Sequence, residues 1–429
     1  MEHDQKPYNF MKEVIKEKKL DKKAIVLRIV FFVGAAVLFG LIASVVFVLN
    51  EPYANLVIHG KEEPPKVDIP VDEQPTPTPE AESAASGSSA DTASSDTSLE
   101  GAQENENIGL MEYRQLYKDM LAVAEKPKRA MVTVIGITNQ MDYFNKNYES
   151  QQQISGLLVA ENGQELFILT EYRVVEHVER IQVTFWDGAM VDAIYQKHDP
   201  NTGFTILKVA LADLDQETRE GMEFAPLGNS YSVNQGEPIL ALGSPIGYSD
   251  SVAYGVVTSV NNKISTIDTE YNLLTTDIMG SKDGSGVLVN LDGEIVGIIA
   301  QSYSSENKNI ITGLAVSQVK KLIEQLSNNE QLPYIGIKGQ DVTSEIADKT
   351  GIPKGILVNT IQPDSPAMMS GIKEYDVIVK FGEDKVSTLS QYRDKLIKCS
   401  PGQTVQITAM RKGAEGYVEV PFEVVIGAN

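Results

Sequence analysis

One uncharged apolar run, at residues 29–49, constrains this chain more than any other feature of its 429 residues. The run reads IVFFVGAAVLFGLIASVVFVL, about 21 residues, which is the length a helix needs to cross roughly 30 Å of hydrocarbon. It is too long for the apolar part of a signal peptide, and no small-residue cleavage motif follows it. The sequence therefore predicts one transmembrane helix close to the N-terminus.

The residues before this run predict its orientation. Residues 1–28 form a basic segment rich in lysine, and lysine and arginine next to a membrane span favour the cytoplasmic side. We therefore expect a single-pass protein of the cell membrane, with a cytoplasmic N-terminus. The domains that follow residue 50 are expected to be extracytoplasmic.

Residues 50–108 have the composition of a linker. They carry PTPTPEAESAASGSSADTASSDTSLE, which is rich in Pro, Ser, Ala and acidic residues and poor in large apolar ones. Such a segment cannot bury enough apolar surface to order itself. The sequence predicts a disordered, passive tether between the membrane and the outer domains.

Charge and cysteine content argue against several classes of function. The formal net charge is -22, whereas nucleic-acid binding needs clustered Lys and Arg, so no nucleic-acid partner is expected. Cys399 is the single cysteine, so neither an intrachain disulfide nor a Cys-rich metal site can form. We expect no metal and no cofactor, and we expect Cys399 to be a small residue in or beside a core.

The remaining sequence predicts mostly β-structure. After a helix-like stretch, GLMEYRQLYKDMLAVAEK, short β-branched runs alternate with Gly, Asn and Asp, as in MVTVIGI, LFILT, IQVTFWDG and GEIVGIIA. About 220 residues of this pattern fit a double antiparallel barrel. A short helix, SQVKKLIEQL, closes this region, and LPYIGI opens a second region of strands and helices.

Several phrases in this part of the chain resemble the HtrA family of trypsin-like proteases. They are SGLLVAENG, VTFWDGAMVDAIYQKHDP, LGSPIGYSDSVAYGVVTSV, TTDIMGSKDGSGVLVNLDGEIVGI and GLAVSQVKKLIEQL, in the order of the family. The phrases YIGI and SPAMMSGIKEYDVI are similar to PDZ domains. The resemblance implies a trypsin-like double β-barrel at residues 109–328, followed by an α+β PDZ domain at residues 331–427.

The resemblance also implies a Ser–His–Asp triad, and this chain departs from two of its members. The family's His lies in a T-x-x-H-V-V phrase, which matches TEYRVV at residues 170–175 and puts Arg173 in the place of the His. A guanidinium stays protonated and cannot act as a general base. The family's Asp lies three residues after a D-P phrase, where this chain has Gly203.

The nucleophile phrase, G-N-S-G-G, matches KDGSGVLVN at residues 282–290 with one residue fewer. Counting forward from Thr276 puts the nucleophile on Ser285, and counting back from Asn290 puts it on Gly284. The turn that aims the oxyanion-binding amides is therefore predicted to be rebuilt. Because loss of the Ser or the His alone costs about 10⁶ in turnover in subtilisin, we expect a catalytically degenerate member.

Three functions stay open on the sequence. The favoured one is a pseudoprotease that binds peptides or misfolded proteins as an adaptor, chaperone or regulator in envelope protein quality control. The second is an active serine endopeptidase in which Ser285 uses a non-standard base, Lys282. Such a base must be a desolvated lysine, whereas Lys282 lies in a polar loop. The third is a purely structural surface protein.

The PDZ resemblance predicts where an extended peptide or an unfolded C-terminus would bind. The strand that begins at Ile335, Gly336 and Ile337, after Tyr334, would pair with the peptide, and its leading amides would hold the terminal carboxylate. A helix would present one apolar face to the last side chains of the peptide, through Leu389, Tyr392 and Leu396. The alternative is that these residues are simply core.

Two further expectations follow from the family. Tyr375 stands where the family usually has Gly, and it would be strained if the turn requires a positive φ. Family members are often trimeric through the segment that here contains Tyr113 and Tyr117, so a homotrimer is possible by analogy.

Overall fold

The computed structural model describes four ranges of the chain: residues 64–74, 109–141, 147–304 and 309–429. The predicted cytoplasmic segment, the predicted transmembrane helix at residues 29–49 and most of the predicted linker lie outside these ranges. Within the ranges described, no helix is both long and apolar enough to cross a bilayer. The described residues from position 65 onwards belong to one structural unit.

The first barrel is closed and antiparallel, with strand order β1-β2-β3-β6-β5-β4. Its strands are β1 (Met131–Met141), β2 (Asn147–Glu161), β3 (Glu165–Glu171), β4 (Arg180–Thr184), β5 (Met190–His198) and β6 (Phe204–Ala210). The five central residues of β3 are all buried, because its two faces pack on different cores. Leu166 and Ile168 belong to the interior of this barrel, and Phe167 and Leu169 to the core shared with the second barrel.

The second barrel repeats this arrangement, with strand order β10-β11-β12-β9-β8-β7. Its strands are β7 (Pro238–Ser244), β8 (Ser251–Thr266), β9 (Thr269–Met279), β10 (Ser285–Val289), β11 (Ile295–Ile299) and β12 (Ile310–Ala315). Alternation along β10 again divides the side chains. Leu288 faces the interior of the second barrel, whereas Val287 and Val289 face the core shared by the two barrels.

Helices flank the two barrels. They are α1 (Leu110–Ala122), α2 (Glu125–Arg129), α3 (Gln216–Gly221) and α4 (Lys320–Ser327). The apolar residues Leu322, Ile323 and Leu326 of α4 pack into the core between the barrels. This amphipathic helix is the one that SQVKKLIEQL predicts.

The last part of the chain forms a smaller domain with a sheet of order β14-β15-β16-β18-β19. Its strands are β13 (Pro333–Tyr334), β14 (Ile337–Asp341), β15 (Ile356–Ile361), β16 (Val377–Phe381), β17 (Asp384–Lys385), β18 (Thr404–Lys412), β19 (Tyr417–Val425) and β20 (Gly427–Ala428). Its helices are α5 (Ser344–Thr350), α6 (Pro366–Ser370) and α7 (Leu389–Leu396). Two barrels followed by an α+β domain confirm the predicted fold class.

Residues 65–74 pack along α4, although the sequence assigns them to the tether. Val67 and Ile69 are 6% and 7% exposed and join the core between the barrels. Val67 N donates to Asn328 Oδ1 at 2.8 Å, and Asn328 Nδ2 donates to Val67 O at 2.8 Å. Asp72 pairs with Lys320 at 2.8 Å, which satisfies a lysine whose side chain is 5% exposed. The structure therefore differs from the prediction for this part of the linker.

Candidate active site and peptide-binding site

Arg173 lies in a single turn of 3-10 helix directly after β3. Its Nε donates to Glu171 Oε2 at 2.7 Å, and its Nη2 donates to the main-chain carbonyl of Asp283 at 3.0 Å. The second bond links the first barrel to the loop before β10. Burial lowers the pKa of Arg173, but the hydrogen bond that it donates to Glu171 and the charges of Glu171 and Asp283 outweigh this effect and leave that pKa raised. Arg173 is therefore a permanent cation at the position that the resemblance gives to the base.

Gly203 lies in the turn between β5 and β6, with a φ of +72°. Its carbonyl accepts from Tyr172 N at 2.7 Å, which fixes this turn beside the one that carries Arg173. A Cβ on Gly203 would meet no atom within 4 Å, so the position has room for a side chain. Its left-handed backbone, however, is one that residues other than glycine rarely adopt. The neighbouring Asp199 stabilises this turn. It is 3% exposed, and its Oδ2 accepts hydrogen bonds from both N and Oγ1 of Thr202.

Ser285, the first residue of β10, points into the protein. It is 2% exposed, and its Oγ accepts from Ser155 N at 3.0 Å. It lines a cavity of about 20 Å³ between the barrels, which has room for about one water molecule. Position 284 offers no alternative nucleophile, because a Cβ on Gly284 would lie 2.4 Å from the carbonyl oxygen of Pro245. A serine at position 284 would not fit this turn, and Ser285 is buried in this conformation.

The amides next to these positions are bonded within their own turn. Gly284 N donates to Ser281 O at 2.9 Å, and Asp283 N donates to Ser281 Oγ at 3.2 Å. Gln301 Nε2 also donates to Ser281 O, at 3.0 Å, and holds this carbonyl in place. An oxyanion can be stabilised only by donors that are free to reach it. In this conformation the amides of Asp283 and Gly284 are both bonded within the turn.

The other basic side chains near the predicted site are not arranged as a base. Lys282 is exposed on the turn, as the polar loop predicts. The side chain of His177 is 91% exposed. The ring of His198 stacks on Tyr172 with centroids 3.9 Å apart, and its Nδ1 lies 2.7 Å from the hydroxyl of Tyr195. Among the residues described, no cluster of three His, Cys, Asp or Glu side chains could hold a metal ion.

The predicted peptide site in the C-terminal domain contains a nest of three successive amides. Gly336 has a φ of +94°, and a Cβ there would lie 2.3 Å from the Cβ of Ser365, so only glycine fits. The amides of Ile335, Gly336 and Ile337 all donate to the carboxylate of Asp268, at 2.8, 2.7 and 3.2 Å respectively. Asp268 was not predicted from the sequence as part of any site.

The predicted helix face exists, but its residues are buried. Leu389, Tyr392 and Leu396 are 0%, 0% and 2% exposed and lie on one face of α7. They form the core of this domain together with Ile335 and Ile337. The hydroxyl of Tyr392 donates to Asp268 Oδ1 at 2.9 Å. Tyr334, the remaining predicted residue, is half-buried in β13.

The turn after α6 keeps the backbone that the family's glycine would adopt. Tyr375 has a φ of +69° and is 71% exposed. Its amide donates to Val358 O at 2.8 Å, and the next residue, Asp376, pairs with Arg411 at 2.6 Å. From the sequence, strain at Tyr375 is expected if this turn requires a positive φ. The turn does have a positive φ at Tyr375, so the expected strain is present.

Comparison with known proteins agrees with this architecture. Residues 154–298 match the model of the trypsin-like peptidase domain, and residues 333–422 match that of the PDZ domain. The probable periplasmic serine endoprotease DegP-like of Chlamydia muridarum is 28% identical over 277 residues, which are 63% of this chain and 53% of the relative. The serine protease Do-like HtrB of Bacillus subtilis is 26% identical over 313 residues, 66% of each chain. The chain is similar to HtrA-type serine proteases.

Solved structures show the same fold. The HtrA-type protease AlgW with a decapeptide superimposes with a TM-score of 0.55 at 20% identity, covering 72% of this chain and 98% of AlgW. The serine endoprotease from Yersinia pestis gives a TM-score of 0.50 at 22% identity, covering 73% of this HtrA-like chain and 98% of the other. The chain spans about half the length of the first curated relatives it matches.

Proposed function

We propose that this HtrA-like chain is a membrane-anchored, extracytoplasmic pseudoprotease. In this proposal the PDZ domain binds peptides or misfolded proteins, and the peptidase domain is a scaffold. The chain would serve as an adaptor, chaperone or regulator of envelope protein quality control. The observation that carries the proposal is the bond of Arg173 to the carbonyl of Asp283, at the position of the base.

Three features support the loss of peptidase chemistry. The proton-accepting His is replaced by a cation, which can donate hydrogen bonds but cannot accept a proton. Ser285 is buried against Ser155, so it cannot attack a bound substrate in this conformation. The amide of Asp283, two residues before Ser285, donates to Ser281 Oγ and is therefore not free to bind an oxyanion. Each of these changes removes a different part of the mechanism.

The names of the relatives support the compartment. The matched proteins from Chlamydia muridarum and Halomonas elongata are both described as probable periplasmic serine endoproteases. The predicted anchor at residues 29–49 would also place the peptidase and PDZ domains outside the cytoplasm. The structure of AlgW was solved with a decapeptide, which supports peptide binding as the role of this domain pair.

An exposed apolar helix face supports self-association. No residue of α1 is buried, and its exposed apolar residues are Leu110, Met111, Tyr113, Leu116 and Tyr117. Exposed apolar patches of this kind mark interaction sites more often than the rest of a surface does. A homotrimer formed through this segment is the assembly that we propose by analogy with the family.

The alternative function is an active serine endopeptidase, as the relatives are named. A direct test incubates the purified full-length chain in detergent with unfolded casein and, separately, with an active-site fluorophosphonate probe. We expect no cleavage and no labelling, and Ser285→Ala should change neither result. AlgW assayed in parallel is the positive control. Cleavage by the wild type that disappears in Ser285→Ala would establish the endopeptidase instead.

Topology needs its own test. Protease added to intact cells should remove the peptidase and PDZ domains, while a cytoplasmic control protein stays whole. Survival of the two domains under conditions that digest an exposed surface protein would show that the orientation is wrong.

A further inference from the structure

Asp268 belongs to the peptidase domain, but its side chain contacts the PDZ domain. It lies at the tip of the hairpin formed by β8 and β9, whose loop is two residues long because Thr266 pairs with Thr269. It is 6% exposed and has a φ of +58°, a region that aspartate adopts more readily than most residues. The tight tip presents this one carboxylate to the PDZ domain.

The carboxylate of Asp268 fills the nest of amides. Oδ2 accepts from Ile335 N at 2.8 Å and from Gly336 N at 2.7 Å. Oδ1 accepts from Ile337 N at 3.2 Å and from the hydroxyl of Tyr392 at 2.9 Å. Successive backbone amides in a nest are the donors that capture a C-terminal carboxylate in peptide recognition. Asp268 therefore makes the bonds that the end of a peptide would make.

The main chain of the hairpin also pairs with the PDZ domain. Asp268 N donates to Ile337 O at 2.7 Å, and Ser265 Oγ donates to Gly339 O at 2.6 Å. Both acceptors lie on β14, which is the edge strand of the PDZ sheet. A peptide that adds a strand to a sheet edge uses carbonyls of this kind. The hairpin thus covers the nest and the first residues of β14, the edge strand with which a bound peptide would pair.

Contacts outside the nest hold the same domain in place. The guanidinium of Arg393, on α7, lies 5.2 Å from the ring centroid of Tyr271, on β9. Arg393 Nη2 also bonds the carbonyl of Gln318, and Gln318 Oε1 accepts from Asn272 N at 2.6 Å. The helix that borders the predicted peptide groove is therefore attached to the peptidase domain beside the hairpin.

We propose that Asp268 is an internal ligand of the PDZ nest, and that an external peptide C-terminus binds this chain by displacing the hairpin of β8 and β9. This inference rests on the peptide-binding function proposed above. One nest holds one carboxylate at a time, so the hairpin and the peptide compete. The apparent affinity for a peptide is then lowered by the fraction of molecules in which the nest is open.

The test uses the full-length chain and two substitutions at the tip. Asp268→Asn keeps the shape of the side chain and its tolerance of positive φ, but replaces an acceptor oxygen by an NH₂ group that faces amide donors. Asp268→Gly keeps the backbone and removes the side chain. The matched control is Asp250→Asn, because Asp250 also has a positive φ, 54°, and is exposed on the same barrel.

Two measurements are made on each protein. The first is the affinity for a fluorescent peptide with an apolar last residue and a free C-terminal carboxylate, with the C-terminal amide as a reference. The second is hydrogen exchange of residues 335–337 without peptide. Both Asp268 variants should bind the free acid about tenfold or more tightly than the wild type does, and they should lose amide protection. Asp250→Asn should behave as the wild type.

The outcomes separate this inference from the function on which it rests. If residues 335–337 lose protection in the Asp268 variants but no protein binds any peptide, the internal ligand is supported and peptide binding fails. If the wild type binds the free acid as tightly as both Asp268 variants, displacement is overturned. If protection is unchanged in both variants, Asp268 is not the ligand that occupies the nest.

Discussion

Arg173 and Asp283 are joined across the two barrels by a hydrogen bond of 3.0 Å, from the guanidinium Nη2 to the main-chain carbonyl. That carbonyl shares a planar peptide unit with the amide of Gly284, which is itself bonded to Ser281 O at 2.9 Å. The unit is therefore held at both ends. Turning this peptide unit would break both bonds, so the position of Arg173 and the conformation of the turn before Ser285 are coupled in this structure.

Restoring the two missing triad residues should not restore turnover. Arg173→His combined with Gly203→Asp supplies a base and an acid, but Asp283 N stays bonded to Ser281 Oγ, and Ser285 stays buried. The absence of one oxyanion donor alone costs about 10² to 10³ in turnover. Hydrolysis of casein by the double variant should equal that of the wild type, with AlgW as the positive control.

Lengthening the turn is the complementary change. One Gly inserted after Ser285 in the double variant restores the family's spacing, and we expect weak hydrolysis from this triple variant alone. Activity of the double variant without the insertion would show that the turn opens by itself and would contradict the coupling described above.

The docked part of the linker should contribute measurably to stability. Asn328→Ala removes both hydrogen bonds to Val67 and leaves a buried amide and carbonyl without these partners. We expect the free energy of unfolding to fall by about 1 to 3 kcal/mol in urea denaturation. Asn359→Ala is the control, since Asn359 is exposed and should change stability by about 0.5 kcal/mol or less. Equal stability of the two variants would indicate that residues 65–74 do not stay docked in solution.

Replacing Tyr375 should stabilise the PDZ domain. A left-handed backbone costs an ordinary residue about 1 to 2 kcal/mol, whereas glycine loses about 0.5 to 1 kcal/mol of chain entropy. Tyr375→Gly should therefore raise the free energy of unfolding by up to about 1 kcal/mol, measured by urea or heat. Tyr248→Gly is the matched control, because Tyr248 is 73% exposed and has no positive φ. Destabilisation by Tyr375→Gly would mean that the ring of Tyr375 stabilises the turn.

The thiol of Cys399 should react slowly. Cys399 packs against the PDZ core, as predicted from the sequence, and burial raises the pKa of its thiol. Since the thiolate is the reactive form, a raised pKa lowers the reactive fraction at neutral pH, and the reaction rate should keep rising at pH values above the ordinary thiol range. Native and urea-denatured chain can be compared with an aromatic disulfide reagent between pH 7 and 10. Identical pH profiles for the two states would contradict this expectation.

The sequence predicted the barrels because the physical signal is local. Runs such as LFILT in β3 predict a short strand, and the structure places Ile168 and Phe167 of this strand in different cores. The positions of Arg173 and Gly203 could also be found from local phrases. The choice between Ser285 and Gly284 could not, because it depends on the distance from Gly284 to Pro245 O, a contact that forms only in the folded protein.

The role of Asp268 could not be read from the sequence for a similar reason. An acidic residue at the tip of a hairpin normally faces solvent, and the amides that bind it lie 67 to 69 residues later in the chain. Docking of residues 65–74 did leave a signal. Val67, Ile69 and Val71 alternate with other residues as in a strand, although the surrounding composition is that of a linker.

The docked segment changes how the length of the tether should be counted. Residues 65–74 are bonded to α4 and to Asn328, so only residues 50–64 of the predicted linker stand between the predicted anchor and this docked segment in the sequence. Residues 75–108 instead connect residue 74 to residue 109, and both of these belong to the unit that contains the barrels. A single protease cut within residues 75–108 would therefore leave the peptidase domain attached to residues 65–74 through non-covalent contacts alone.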